Sequence, residues 1–446
     1  KKYLLLAIPM ILQNAITNLV SFLDNIMVGQ LGTEQMSGVA IVNQLIFVYN
    51  LAIFGAVSAA SIFGAQYFGK GNHKGHMYSF RFKLYATLLV TGGAILLFLT
   101  KGSALISLYL TDTVGNGATD LALQYGLEYL AIMMVGLIPF AVNQSYATNI
   151  KETGQTFIPM LASFVAVGTN AILDYLMIFG IGPFPELGVQ GAALATVIAR
   201  YIEALIVVIW AHIHRGKNRY LEGAYTGFGI PLAELKAILI KGFPLMMNEV
   251  LWAAGMTTVT QCYSVRGLDV VAGLNIASTI TNLFNIVYLQ LGSCISIVVG
   301  QYLGAGKLED AKDADNKMIV FSVFCCVIMA ALMFVVGGFF PGIYNTTEEI
   351  RELATSFIAV SAIIMPFCAF SHASYFTLRS GGKTVVTFLF DSVFTWVIVV
   401  PAAYLLAHFT GLGIVSIYFL VQGTELIKVI IGYLMVKSNV WVVQMV

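Results

Sequence analysis

The sequence predicts an all-α membrane protein: twelve transmembrane helices in two six-helix bundles related by pseudo-twofold symmetry along the membrane normal. Composition points there first. Of 446 residues, 59% are hydrophobic and only 10% are charged, against roughly 45–50% and about 25% in soluble domains. A chain this apolar cannot cover itself with polar groups in water, so its solvent is a lipid bilayer. Apolar stretches of spanning length recur twelve times, and the second half of the chain repeats the first, the mark of a duplicated unit.

The spans follow in chain order, separated by short polar segments. Residues 4–30, 38–67, 84–100, 124–147, 157–180 and 191–212 make an N-terminal lobe over residues 1–212. Residues 213–241 form a cytoplasmic linker carrying Arg215, Lys217 and Arg219, with an amphipathic stretch from Pro231 to Lys241 that suits the membrane surface. Residues 243–265, 271–302, 318–339, 354–378, 385–407 and 413–436 make a C-terminal lobe over residues 242–446. An even count puts both termini on one side. Eighteen of the 23 Lys and Arg fall on that side, among them Lys1, Lys2, Lys70, Lys74, Arg81, Lys83 and Lys151, whereas Lys101, Arg266 and Arg351 fall opposite. Cytoplasmic loops retain positive charge, so both termini are expected in the cytoplasm and the chain in the cell membrane as a multi-pass protein. No targeting segment is in view ahead of Tyr3, where the apolar run begins.

The repeat is specific. Sliding the chain by 235 residues without a gap lays Pro9 on Pro244, Gly32 on Gly267, Gly38 on Gly273, Asn50 on Asn285 and Ser58 on Ser293. The same shift lays Gln66-Tyr67 and Gly69-x-Gly71 on Gln301-Tyr302 and Gly304-x-Gly306. With one inserted residue, Pro139-Phe140 through Lys151-x-x-Gly154-x-Thr156 recurs as Pro366-Phe367 through Arg379-x-x-Gly382-x-Thr384. An even number of spans separates the halves, which therefore share one orientation. Parallel halves of this kind suit alternating access around a midplane cavity.

Several classes of function are excluded or disfavoured. A net charge of +1 leaves no basic footprint for nucleic acid. Cys262, Cys294, Cys325, Cys326 and Cys368 lie in apolar stretches at no metal-ligand spacing and read as buried filler. There is no metal-binding His pair on a helix, no P-loop and no nucleophile elbow, so the chain is not expected to be an enzyme or to hold a cofactor.

An ionisable residue in a span costs at least about 2.5–3.5 kcal/mol on insertion scales, so each needs a partner or a task. Arg200 with Glu203, and Glu425 with Lys428, stand three apart on a helix face and read as local charge pairs, with Glu203 and Glu425 at similar places in the two halves. Asp391 stands alone near the cytoplasmic end of its span, placed either to reach water or to line a pathway. Asp24 and Asp174 have no basic neighbour one turn away. Asp24 shares its helix with Asn14, Asn18, Ser21 and Asn25, and Asn170 stacks one turn before Asp174. Two lone carboxylates beside amide oxygens suit a small hard cation, or equally a proton. Glu249, aligned by the repeat with Asn14, is the corresponding acid of the second half. Asn43, Asn50, Asn275, Asn282 and Asn285 either line a cavity or hold helices together, and His372 is either a packing residue or a proton carrier; Asn43, Asn50, Asn282, Asn285 and His372 are the candidates, with Glu249, to meet substrate. Aromatic residues and 17 Met suit bulky lipophilic cations as substrates.

The motifs resemble those of the multidrug and toxic compound extrusion (MATE) family. They are Asp24-Asn25-Ile26-Met27-Val28-Gly29, Gly64-Ala65-Gln66-Tyr67-Phe68-Gly69, Asn170-Ala171-Ile172-Leu173-Asp174, Gly191-Ala192-Ala193-Leu194-Ala195-Thr196, and the Pro244 to Glu249 segment. The resemblance covers essentially the whole chain. It implies a V-shaped pair of bundles, expected to act as a monomer, that exports organic cations in exchange for Na+ or H+. It also implies a cation site made by Asp24, Asn170, Asp174 and Thr196. Part of that family uses acids in helices 7 and 10; here Glu249 lies close to Pro244 and helix 10 offers His372 and Cys368 but no acid. That leaves Glu249 as a substrate contact. The alternatives are a lipid-linked precursor flippase of the same superfamily, for which the spans hold little positive charge, and an ion channel.

Overall fold

The structure is a computed structural model that describes residues 2–110, 116–227 and 229–446; the side chains of residues 2, 20–23, 25, 26 and 116–118 lie outside the description. Lys1 and Lys2 in the charge distribution, and Ser21, Asn25 and Ile26 in the first helix, are therefore outside the described side chains. Among the described residues the chain is helical, with no strand.

Among the described residues twelve long helices follow in order. The first six are α1 (Lys2–Gly29), α2 (Thr33–Lys70), α3 (His73–Ser107), α4 (Asn116–Glu152), α5 (Phe157–Ile178) and α6 (Val189–Ile213). The second six are α7 (Leu232–Ser264), α8 (Leu268–Gly304), α9 (Leu308–Gly337), α10 (Glu348–Ser380), α11 (Thr384–Phe409) and α12 (Ile414–Lys437). Eleven of them are long and apolar enough to cross a bilayer, and α1 carries a shorter described apolar run, Tyr3–Leu19. At 1.5 Å per residue the 38 residues of α2 reach about 57 Å, well beyond a hydrocarbon layer of about 30 Å. Helices this long absorb segments that the sequence assigned to loops.

Arg81 and Lys83 show the consequence: read as loop residues, they lie inside α3 and are buried. Arg81 donates to the carbonyls of Gly223 (2.6 Å), Gly229 (2.7 Å) and Ala224 (2.9 Å), pinning the chain that follows α6 onto α3. Tyr220 of the same segment is buried against His76 and Phe80. The amphipathic stretch from Pro231 to Lys241 is continuous with the span that follows, since α7 starts at Leu232 and runs through Pro244 without a break. Proline is tolerated there because a membrane helix can re-satisfy the carbonyl it frees.

The chain divides into two compact units, one of residues 8–64 and 73–235, the other of residues 1–7, 65–72 and 236–446. Relative to divisions at 212/213 and 241/242, most of the linker groups with the first half, held by the Arg81 bonds. The ends of α1 and α2 group with the second half. Glycine explains the second exchange. A Cβ at Gly69 would run into the backbone of Gln301, and one at Gly304 into the backbone of Gln66. Residues 69 and 304, like 66 and 301, are repeat mates, so the two contacts are the same contact made twice. Gln66 also donates to the Ser380 carbonyl at 2.9 Å and accepts from the Met445 amide at 2.8 Å. The repeat extends to the turns. Gly71 and Gly306 have φ of 75° and 72°, and Gly154 and Gly382 have φ of 84° and 71°, a left-handed backbone that side chains with a Cβ disfavour.

In the second unit α10 packs on α8, α9 and α12. Helix α11 is wound in π-helical turns at Leu389–Val393 and Thr395–Val399, a form that accumulates at functional positions. All five cysteines are free.

Candidate functional site

In the first unit α1, α5 and α6 bring Asp24, Asn170, Asp174 and Thr196 together. The small residues opening α6 make this possible: a Cβ at Gly191 would stand 2.6 Å from the Met177 carbonyl, and Ala192, Ala193 and Ala195 are fully buried. Small residues let helix backbones approach in a membrane, and here they draw α6 onto the end of α5 that carries Asp174. Asp174 is completely buried and Asp24 partly so. Their carboxyl groups are immediate neighbours. Asp174 Oδ1, Asp174 Oδ2 and Asp24 Oδ1 are buried with no hydrogen-bond partner among the described residues. The Asn170 amide, beside the Asp174 carboxyl, donates to Thr196 Oγ1 at 3.4 Å.

Two carboxylates offer only acceptors, so neither can satisfy the other. Such a pair is relieved by a proton shared between its oxygens or by a cation that replaces its water with oxygen ligands. The carboxyl oxygens, with the Asn170 and Thr196 side-chain oxygens beside them, are a fitting donor set for Na+ and an equally fitting one for H+.

Tyr129 is the residue that sequence reasoning missed here. It is 1% exposed, its charge environment includes both acids, and its hydroxyl donates to Asn43 Oδ1 at 3.3 Å. Asn43 is thus tied to Tyr129 close to the acids. Asn50 keeps a buried Oδ1 with no partner. As one of 21 tyrosines, Tyr129 carried no distinguishing signal.

The two local charge pairs expected on α6 and α12 do not form among the described residues. Arg200 donates instead to the Gly136 carbonyl at 3.4 Å and lies 5.1 Å over the Phe140 ring. Glu203 accepts from Ser163 Oγ, which itself accepts from Gln13 Nε2 at 2.7 Å. In the second unit Lys428 Nζ bonds Asp391 Oδ1 at 2.7 Å, and Glu425 Oε1 is buried with no partner. A residue three positions along a helix shares its face, but packing against a neighbouring helix offers better partners. Asp391, expected to stand alone, is therefore ion-paired. By these contacts the counterpart of Glu203 is Lys428, not Glu425.

The remaining candidates lie in the second unit. Glu249 is half-buried on α7, with Arg379 and Asp391 in its charge environment. His372 bonds the Cys368 carbonyl through Nδ1 at 2.9 Å, its ring 4.6 Å from that of Tyr288. On α8, Asn275 and Asn282 are exposed and Asn285 is half-buried.

Helical spans, a duplicated six-helix unit and a buried acid pair with no basic partner among the described residues define a multi-pass membrane protein of the transporter type. The MatE family model matches residues 9–176 and again residues 244–405, one match for each half, and the chain belongs to that family. Among its relatives, probable multidrug resistance protein NorM of Thermotoga maritima is 23% identical over 418 residues, covering 93% of this chain and 87% of its own. The NorM of Halalkalibacterium halodurans is 24% identical over 415 residues, with 93% and 88% covered. Among solved structures, an outward-facing multidrug resistance MATE family transporter of the MOP superfamily aligns with a TM-score of 0.88 at 20% identity, over 98% of this chain and 95% of that one. A MOP superfamily transporter from Pyrococcus furiosus aligns with a TM-score of 0.87 at 20% identity, with 98% and 95% covered.

Proposed function

We propose that this protein is a multidrug efflux transporter of the cell membrane, exporting lipophilic organic cations by alternating access in exchange for Na+ or H+. Both termini lie in the cytoplasm on this reading, as the Lys and Arg distribution favours. Family membership and the NorM relatives support drug export. The observation that carries ion coupling is the Asp24–Asp174 pair, whose buried carboxyl oxygens lack donors.

With no ion between them the two carboxylates repel; at a separation of about 4 Å and an effective dielectric constant of about 20, two like charges repel by about 4 kcal/mol. A cation entering from outside cancels that repulsion and lets α1 and α5 close on it. Transport follows only where this differs between the outward and inward states, because an ion that binds both equally shifts nothing. One cation moving inward down about 100 mV releases about 2.3 kcal/mol, more than a tenfold gradient of a neutral substrate. A monovalent organic cation exchanged one for one cancels the electrical part, so the ion's concentration gradient alone drives it.

Ethidium efflux from proteoliposomes under an imposed Na+ gradient alone, and then under a pH gradient alone, tests the reading and identifies the ion. One gradient should drive efflux in the wild type and neither should do so in Asp174→Asn. Wild-type coupled rates from that variant would refute the assignment.

A further inference from the structure

The two halves carry a second matching set of polar positions, and the match inverts its charge. The 235-residue shift lays Gln13 of α1 on Asn248 of α7, and the shift that relates Gly154 to Gly382 lays Ser163 of α5 on Asp391 of α11. Leu187-Gly188 and Leu412-Gly413 open the last helix of each half, and counting from them lays Arg200 on Glu425 and Glu203 on Lys428. The contacts follow this correspondence. Gln13 donates to Ser163, which bonds Glu203; Asn248 Nδ2 donates to Asp391 Oδ2 at 3.0 Å, and Asp391 bonds Lys428. Where the first half has a hydroxyl facing a carboxylate, the second has a carboxylate facing an ammonium.

The ammonium is built in. Lys428 is 7% exposed, and its Nζ lies 5.5 Å from the Phe390 ring centre and 6.0 Å from that of Phe394. Asn248, which holds the other Asp391 oxygen, is itself fixed by Ser392, whose Oγ and amide both donate to Asn248 Oδ1 at 2.7 and 3.2 Å. Asp391 and Ser392 sit on the first π-helical turn of α11. The other charged or titratable groups around the pair are Glu425 on α12, Cys368, His372 and Tyr375 on α10, and Glu249 on α7 facing Asp391. Glu425 Oε1 has no partner of its own among the described residues.

Carboxylates grouped inside a membrane need a counter-charge. At Asp24–Asp174 the described residues supply none by ion pairing, and at Asp391 the chain supplies its own. We propose that the Lys428 ammonium is the resident cation of the second unit, holding the seat beside Asp391 and Glu425 that a mobile monovalent cation would otherwise take. The second unit then exchanges no ion, and the count of one coupling ion per chain rests on the Asp24–Asp174 reading. Glu425, left with a free oxygen next to the ammonium, keeps that seat attractive to a cation when the lysine is removed.

Equilibrium binding of radiolabelled Na+, together with proton uptake between about pH 5 and 9, tests this on the purified full chain in detergent. Lys428→Met should bind one more monovalent cation per chain than the wild type, as Na+ or H+. Lys428→Met with Asp391→Asn and Glu425→Gln should lose that gain, and it serves as the folding control because the lysine and both acids beside it are then neutral. Asp174→Asn should remove the wild-type ion while leaving the gain from Lys428→Met intact, so failure at either site reads separately. A folded Lys428→Met protein with the wild-type count would overturn the proposal. Should Lys428→Met not fold, Asp391→Asn alone decides: an unchanged count supports a resident cation, and a lowered one shows that Asp391 already takes a mobile ion.

Discussion

Replacing Asp174 by Asn should stabilise the ion-free protein while removing its response to the coupling ion. Both Asp174 carboxyl oxygens and Asp24 Oδ1 are buried acceptors without donors. Asn at position 174 brings an Nδ2 donor to within reach of Asp24, and a hydrogen bond to a charged group contributes about 1.5–3 kcal/mol. It also removes a like-charge repulsion of about 4 kcal/mol at an effective dielectric constant of about 20. On the proposed reading the wild type recovers stability by binding its ion, by about 2.7 kcal/mol at a hundredfold excess over Kd. Thermal unfolding of the purified protein, in a Na+ series at fixed pH and in a pH series without Na+, reads both effects. The wild-type Tm should climb in one series, whereas the variant starts higher and stays flat in both. A variant that melts below the ion-free wild type, or keeps its ion dependence, would show that the two carboxyls do not share an ion.

Gly304→Ala and Gly69→Ala should each lower Tm and the monodisperse fraction, by about 1–3 kcal/mol or more, because the added Cβ meets backbone that cannot yield. Gly168→Ala, with nothing within 4 Å of the added Cβ, should be neutral or stabilising in the same assay. Lys83→Met should cost up to about 3–5 kcal/mol by removing the ammonium bonded to Glu152 at 2.5 Å in a fully buried pair, with the His76 ring still 3.3 Å from that carboxylate, and the further change Glu152→Gln should restore most of it. Arg81→Ala should expose residues 223–229 to limited proteolysis, since it releases three carbonyls that hold that segment on α3; an unchanged digestion pattern would show that the segment is held by other contacts.

The helical class and the duplication were legible because each rests on a property spread over many residues. Apolar length marks a span wherever it occurs, and Pro, Gly and Gln at constant separation mark a repeat whatever surrounds them. The acids at 24 and 174 could be singled out because an unbalanced charge is costly in a bilayer. What the sequence could not give was the partner of each polar group. Arg200 and Glu203, or Glu425 and Lys428, look self-sufficient along their own helices, yet Gly136 takes Arg200, Ser163 takes Glu203 and Asp391 takes Lys428. Those partners lie 37 to 64 residues away in sequence, where only packing decides who meets whom. Lys83 escaped for another reason: hydropathy ends a span at the first charges, but a helix needs only its hydrogen bonds, and α3 runs on through them.

Unequal treatment of charge in the two halves gives them unequal parts in an exchange cycle. The Asp391–Lys428 pair joins α11 to α12 with both charges covalently present, so its attraction is the same whatever ions surround the protein. The Asp24–Asp174 pair joins α1 to α5 with charges of one sign, and that contact is repulsive or attractive depending on what lies between the carboxyls. Moving a two-state equilibrium from about 1:99 to about 99:1 takes about 5.5 kcal/mol of differential binding, a quantity of the same order as the repulsion that one cation relieves. A duplicated scaffold that had kept two such pairs would answer to two ions. On the proposed reading, with one pair sealed by its own lysine, occupancy of the other suffices to choose the state.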